Sequence, residues 1–537
     1  MKHTLPTAHR NILKSSLLGA AFLPLLPGLG FAAEKQPASA VTILGNRVEH
    51  RATLLAVDDY SLPLKKDLCY YLSKPKVRPE PVLSPSRDNP HATDTLATHF
   101  YGTVLQDGGK FRMWYYGARV FSKQENPRGS FRIKEGPICY AESQDGITWT
   151  KPNLGQVEYN GGRDNNAIAL PDTQTEGVFV IKDDDDPDAS RRYKMVYENL
   201  PAHKRCMSVR TATSADGIHW TAGPDAPISE GLEPCSFYRH NGLFYINAQF
   251  APFGVSEGGH KAGRQGFVWV SPDFTHWIQE AGESFLLPEP TNPNDRGLDR
   301  PGEQVHLGVA PMGMGNVLVG LYAQWHARPY AGDWFGRATT SADWGLVVSN
   351  DGQHFRETVK GHVYLHRSES RPVVSPDIRH EVVLCQGNGI INVGNETRIY
   401  HGRWVNSEKV ENYHADIGLA TLPRDRWGAL GLYPRATEGS VWTAPLTLDK
   451  AGCKLTLNAD GVQGMSVEIA DERLNLLPEY SGANAGTSAA KDGLDCAVKW
   501  PKASLDALVG KTVRLRIHLK QGEHAGPRFY AAYITSK

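Results

Sequence analysis

The sequence predicts an all-β protein: a five-bladed β-propeller followed by a C-terminal β-sandwich. Three observations carry this. A turn of the form Ser-x-Asp-x-x-x-aromatic recurs through the middle of the chain. Strand-like segments precede every copy. No long stretch shows the apolar period of an amphipathic helix. The copies read Ser143-Gln-Asp145-Gly-Ile-Thr-Trp149, Ser214-Ala-Asp216-Gly-Ile-His-Trp220, Ser271-Pro-Asp273-Phe-Thr-His-Trp277 and Ser349-Asn-Asp351-Gly-Gln-His-Phe355. A shortened fifth is Pro423-Arg-Asp425-Arg-Trp427. Their aspartates, at 145, 216, 273, 351 and 425, are spaced 71, 57, 78 and 74 residues apart. Turn chemistry explains the residue types. Ser and Asp side chains bind their own backbone, Gly accepts a positive φ, and the aromatic packs back on the sheet.

Each blade is read from paired apolar segments. Blade one has His99–Leu105 and Phe111–Tyr116, and blade two Gly177–Ile181 and Arg192–Tyr197. Blade three has Cys235–Tyr238 and Leu243–Asn247. Blade four has Val305–Val309 and Asn316–Tyr322, and blade five Val382–Cys385 and Arg398–Trp404. Strand, turn, strand, strand, Ser-x-Asp turn, strand is the plan of a four-stranded blade. From Val441 the alternation sharpens in Lys454–Leu457, Met465–Ile469, Cys496–Trp500, Val513–Leu519 and Phe529–Ile534, which reads as a sandwich. The expected boundaries are an N-terminal arm packing on the propeller at 40–95, the propeller at 96–432 and the sandwich at 438–537.

Residues 1–32 are read as a signal peptide. Lys2, Arg10 and Lys14 precede an apolar run, Leu17–Leu29, and Gly30-Phe31-Ala32 supplies small residues for cleavage. The expected location is therefore periplasmic or extracellular, with no membrane span in the mature chain. The 58 basic and 58 acidic side chains cancel, which argues against a nucleic-acid partner. The 53 glycines and 35 prolines suit many short strands joined by turns. None of the seven cysteines lies in a CxxC pair, so no zinc site is expected. Cys453 and Cys496 are near enough in sequence to be candidates for a disulfide. The run Asp183–Asp186 reads as a solvated hairpin tip rather than a calcium site.

Some segments carry a resemblance. Tyr101–Leu105 with Lys110–Tyr116, the turn at 143–149, Gly345–Gly352 and Ile417–Asp425 resemble the glycoside hydrolases of families 32, 43 and 68, nearest to secreted family 32-like proteins. The Asn-Asp-Pro-Asn-Gly and Arg-Asp-Pro motifs of family 32 enzymes are missing, which points away from sucrose or fructan. The resemblance implies an exported enzyme that cleaves a glycosidic bond in a poly- or oligosaccharide. It also implies three acids at the starts of the inner strands of blades one to three.

At those positions stand Asp94, Glu176 and Glu233. Glycosidases pair a carboxylic acid that protonates the leaving oxygen with a carboxylate that attacks or activates water. A nearby like charge tunes the acid. Asp94 is assigned as nucleophile or base, Glu176 as modulator and Glu233 as general acid. His99, Glu303, His306, Trp325, His326 and Arg403 are the candidate sugar contacts, offering ring faces and hydrogen-bond donors. No cofactor or catalytic metal is expected, and the central channel leaves room for a structural calcium ion. Two other functions fit the same fold: a non-catalytic carbohydrate-binding propeller, and a polysaccharide lyase with His306 or His326 as base.

Overall fold

The computed structural model describes residues 40–120, 133–172, 174–199, 208–224, 233–250, 265–287, 304–326, 341–372, 381–406, 413–522 and 526–536. The expected signal peptide and Glu303 lie outside the described residues. Among the described residues every regular element is a β-strand or a short 3-10 turn. Among the described residues no helix is long and apolar enough to cross a membrane.

The repeats fold as successive antiparallel meanders. The first holds Ala97–Asp107, Lys110–Val120 and Ile133–Ser143. The second holds Thr175–Lys182, Tyr193–Asn199, Ser208–Ser214 and Thr221–Ala222. The third holds Glu233–His240, Leu243–Phe250, Gln265–Ser271 and Gly282–Phe285. The fourth holds Gln304–Gly313, Leu318–His326, Ser341–Ser349 and Arg356–Glu357. The fifth holds Glu381–Leu384 and Ile390–Val393 against Glu396–Val405, then His414–Pro423, with Lys76–Val77 at its edge. The fourth and fifth are joined by one parallel pair, Ala342 with Val382.

The Ser-x-Asp turns work as their chemistry predicts. Asp145 Oδ1 accepts the N–H groups of Ile147 and Thr148, each at 2.7 Å, and Gly146 N–H donates to Ser143 Oγ at 2.8 Å. These donors, Thr148 first and then Ile147, hold the Asp145 carboxyl down at about 2. The turns also lock neighbouring sheets together. Trp114 of the first sheet donates to Gly217 O in the second turn at 2.9 Å. Tyr238 of the third reaches Gly352 O in the fourth at 2.7 Å. Tyr400 of the fifth reaches Gly146 O in the first at 2.7 Å. The fifth turn departs from the pattern. Asp425 is fully buried, and its carboxylate takes Tyr533 Oη at 2.8 Å, Arg51 Nη2 at 3.0 Å and Asn392 Nδ2 at 2.6 Å. It anchors the terminal sheets instead of capping a surface turn.

The first strands touch in sequence and return on themselves. Thr103 Oγ1 donates to Val178 O at 3.2 Å, and Ser236 Oγ donates to Val309 O at 2.6 Å. Gln386 Nε2 donates to His306 O at 2.9 Å, and Gly387 pairs with Gly102 in parallel. Asn388, in the fifth repeat, bridges the second and third by donating to Val180 O at 3.2 Å and Phe237 O at 2.6 Å.

Val41–Ile43 pairs with Leu446–Leu448, Arg51–Leu55 with Arg528–Thr535, Leu64–Lys66 with Glu438–Trp442, and Leu68–Leu72 with Gly428–Leu432. The N-terminal residues are thus strands of the two C-terminal sheets, and they also meet the repeats, through Asn46 with Asn350, Thr53 with Asn316, Asp58 with Arg356 and Lys76–Val77 with the fifth sheet. The cause is tertiary: their short apolar alternation closes a core with Leu455, Val467, Ile517 and Phe529 that the C-terminal strands alone leave open. Cys453 and Cys496 are both buried free thiols, so the candidate pairing is not made. The acidic run is a hairpin tip with Asp184 and Asp185 exposed, and its two ends are tied down. Lys194, fully buried, meets Asp183 at 2.9 Å and Asp186 at 2.7 Å, and Arg239 from the next sheet binds Asp183 and Asp185.

Candidate active site

The antiparallel register breaks near the start of four first strands: between His99 and Thr103, Glu176 and Val178, Pro234 and Ser236, and His306 and Val309. A bulge bends its strand and re-aims the side chains beside it. His99, Glu176 and His306 stand at these breaks, and Glu233 stands next to one. Gly308 shows why the chain needs a glycine in such a bend. Its φ is +111°, and a Cβ there would lie 2.4 Å from Asn247 Oδ1.

The breaks bring Glu176 and Glu233 together, and with them a residue that the sequence reading passed over. Glu198, on the second strand of the second sheet, faces Glu176 in register. One carboxylate oxygen from each of Glu176, Glu198 and Glu233 lies within 4.8 Å of the others. Glu176 and Glu233 are half-buried, while Glu198 is buried with Oε1 lacking a hydrogen-bond partner. Burial pushes the Glu198 carboxyl well above its usual range, and the charges of Glu233, Glu176 and Glu135 push the same way. Glu233 is held by Gln249, its cross-strand neighbour, whose Nε2 donates to Glu233 Oε2.

An aromatic wall adjoins these acids. Tyr101 stacks on Trp404 with centroids 5.4 Å apart and hydrogen-bonds to His306 Nε2 at 3.2 Å. His306 stacks on Trp325 at 4.0 Å. His99 lies between Trp404 at 4.4 Å and Tyr116 at 4.6 Å, and its Nε2 meets the Tyr413 hydroxyl. Burial keeps His99 neutral, with its pKa lowered to about 3. Burial, then Glu176 and Glu135, raises the Tyr116 hydroxyl well above its ordinary value. Tyr101 is raised by burial, then by Glu233 and Glu176. Both phenols are therefore neutral groups held close to the glutamates. Tyr116 Oη and Trp404 Nε1 are buried polar atoms without a partner.

Three candidates are held by partners outside the glutamate cluster. Asp94 is buried against Tyr115 Oη at 2.8 Å and Lys151 Nζ at 2.6 Å, with the Gly117 backbone close by. Arg403 is wholly buried in a two-point ion pair with Asp416 at 2.6 and 3.0 Å, and donates to Pro79 O at 2.9 Å. Its guanidinium is committed inside the fifth sheet. His326 lies 3.1 Å from Asp343, which also binds Arg367 at 2.9 Å.

Glu198 had a signal in the sequence. It is the acid at the end of an apolar strand, Tyr193–Asn199, all of whose side chains are buried, and it mirrors Glu176 across a hairpin. Glu135, on the third strand of the first sheet, had none.

No protein-family model matches the chain. Uncharacterized protein Rv1502 of Mycobacterium tuberculosis is 29% identical over 156 residues, covering 27% of this chain and 44% of that protein. The chain thus spans less than half the length of the curated relatives it matches. Among solved structures it is similar to one reported with the GH130 family of mannoside phosphorylases, in which glycoside hydrolases target β-1,2 mannosidic linkages in Candida mannan (14% identity, 66% of this chain and 94% of that one, TM-score 0.42). It is also similar to a family 43 β-xylosidase/α-arabinofuranosidase from a compost microbial metagenome (10% identity, 67% and 98%, TM-score 0.41). These are weak, low-identity likenesses to several glycoside hydrolases, and they single out no family.

Proposed function

We propose that this chain is an exported glycoside hydrolase, a closed five-bladed propeller joined to a β-sandwich, that cleaves a poly- or oligosaccharide with Glu176 and Glu233. The observation that carries this reading is the convergence of three glutamates within 4.8 Å beside an aromatic wall. The ring of contacts among the five repeats supports closure. The export part rests on the basic and then apolar residues at 1–32.

Three carboxylates this close do not all ionise near neutral pH. Glu198 is the most buried and holds the proton. It tunes the other two and stays out of reach of the sugar. Glu233, half-buried and oriented by Gln249, protonates the leaving oxygen. Glu176, also half-buried, takes the role first given to Asp94, because Asp94 is bound to Lys151 and Tyr115. Glu176 therefore acts as nucleophile or base opposite Glu233. Tyr101, Trp404, His306 and Trp325 supply the ring faces and donors that seat the sugar.

The test is reducing-sugar release from a panel of plant, algal and microbial polysaccharides by wild type and by folded Glu233→Gln. The expected outcome is release by wild type and a loss of about 100-fold or more in the variant. Release that survives the substitution would overturn the assignment. Binding of a polysaccharide without release would favour the non-catalytic reading.

One observation favours a second reading. Glu198 Oε1 is buried without a partner, and the three carboxylates would suit a divalent cation such as calcium. A rise in melting temperature with added calcium, absent in Glu198→Gln, would support that reading.

A further inference from the structure

Far from the glutamates in sequence, a cleft of about 370 Å3 opens beside the turn that follows Gly428–Leu432. Tyr71, Tyr433, Arg435, Gln521 and Arg528 line it, and no acidic side chain does among the described residues. The Arg528 guanidinium lies flat on the Tyr71 ring, 3.5 Å from its centroid. Gly431 makes this possible, since a Cβ there would fall 2.3 Å from Arg528 Nη1. Among the described residues the guanidinium donates from Nη1 to Pro527 O at 3.4 Å and also interacts with the Tyr71 hydroxyl. Most of its five N–H donors therefore remain for a ligand. Arg435 is exposed, and its guanidinium makes no ion pair or hydrogen bond among the described residues. The turn that carries it is closed by Ala436 N–H to Tyr433 O at 3.0 Å.

We infer that this cleft is a second, non-catalytic site that binds an anionic saccharide. Two guanidinium groups that have no carboxylate partner among the described residues are suited to hydrogen-bonding an anionic group in pairs. The exposed face of Tyr433 takes the apolar side of a sugar ring and leaves its hydroxyls to polar neighbours. The volume is within the range of small-ligand clefts, roughly 300–1,000 Å3. A site here would hold an acidic polysaccharide to the protein independently of the glutamates.

The test is titration of the full-length mature protein with oligogalacturonate, dextran sulfate and neutral dextran at low ionic strength, beside Arg435→Ala and Arg528→Ala. The inference expects one or both anionic glycans to bind, neutral dextran to bind more weakly, and each substitution to weaken anion binding about tenfold or more. Binding of oligogalacturonate alone assigns the site to uronate carboxylates, and of dextran sulfate alone to sulfate esters. Arg435 is exposed, so its variant folds even if Arg528→Ala does not. Absence of binding by both anions, or equal binding by Arg435→Ala, would overturn the inference. Glu233→Gln should bind like wild type, which separates this result from the outcome at the glutamates.

Discussion

Glu176 and Glu198 stand directly opposite each other on neighbouring antiparallel strands, and Glu233 reaches both from the next sheet. Opposed like charges destabilise a strand pair unless one of them is neutral. Burial and the two neighbouring carboxylates raise Glu198 above its ordinary 4.5. The native state therefore binds a proton that the unfolded chain releases near that value. The stabilisation is fully present below 4.5 and is lost as pH rises through the higher folded value. Glu198→Gln mimics the protonated form at every pH. Its melting temperature should fall less than that of wild type as pH is raised from 5 to 9, at about 0.5 units per step. Thermal melts across that range check this, and parallel curves would show that Glu198 is not the group holding the proton. The same variant should change the pH profile of sugar release only at the alkaline end, where wild-type Glu198 ionises and a like charge near Glu233 is removed by the substitution.

Asp94→Asn should destabilise the fold and spare the chemistry. The Asp94 carboxylate is fully buried and paired with Lys151 at 2.6 Å, so neutralising it leaves a largely buried ammonium uncompensated. Breaking such a pair costs about 3 kcal/mol. Denaturant unfolding measures that cost, and turnover is compared well below the melting temperature. A collapse of turnover in a stable variant would return Asp94 to the catalytic set.

The difference between these acids shows what was legible in the sequence. The Ser-x-Asp turns are local: each bond that shapes them spans two or three residues, so the repeat is readable from the string alone. Glu176 and Glu233 were found because each stands at the start of a first strand, where a bulge turns it inward. Asp94 occupies a similar place in the string, but it precedes its strand by several residues, and the backbone between them carries it toward Lys151. Glu198 sits on a second strand, and only the pairing of Tyr193–Asn199 with Thr175–Lys182 shows that it meets Glu176. The partners of Val41–Ile43 and Arg51–Leu55 lie hundreds of residues away, and no local pattern announces such pairings. Arg403 looked like a sugar ligand because its partner Asp416 is on the following strand, in register with it.

Arg403→Ala should unfold the fifth sheet rather than weaken sugar binding. Asp416 would lose both charged hydrogen bonds and keep His414 Nε2, 3.0 Å away, as a hydrogen-bonding neighbour. A loss of about 3–5 kcal/mol is expected, read by denaturant unfolding. Arg403→Lys keeps the charge but loses the fork geometry, so it should recover part of that stability. If Arg403→Lys is as stable as wild type and binds sugar less well, Arg403 belongs to the site after all.

Gly308→Ala tests whether the bulge beside His306 positions the aromatic wall. With φ at +111°, an alanine is strained at this position, and its Cβ would meet Asn247 Oδ1 at 2.4 Å and Ala248 O at 3.0 Å. Asn247 Oδ1 accepts the Val309 N–H at 2.9 Å, so the bulge and that hydrogen bond would be lost together. The expected loss is about 2 kcal/mol from backbone strain. His306 would shift from Tyr101 and Trp325, raising KM for the sugar more than it lowers kcat. Gly313→Ala is the comparison, because it lies at the end of the same strand and a Cβ there meets nothing within 4 Å. That variant should change stability by no more than about 0.5 kcal/mol and leave KM as it is. If the two variants behave alike, the bulge does not position the wall, and His306 owes its place to its stacking on Trp325.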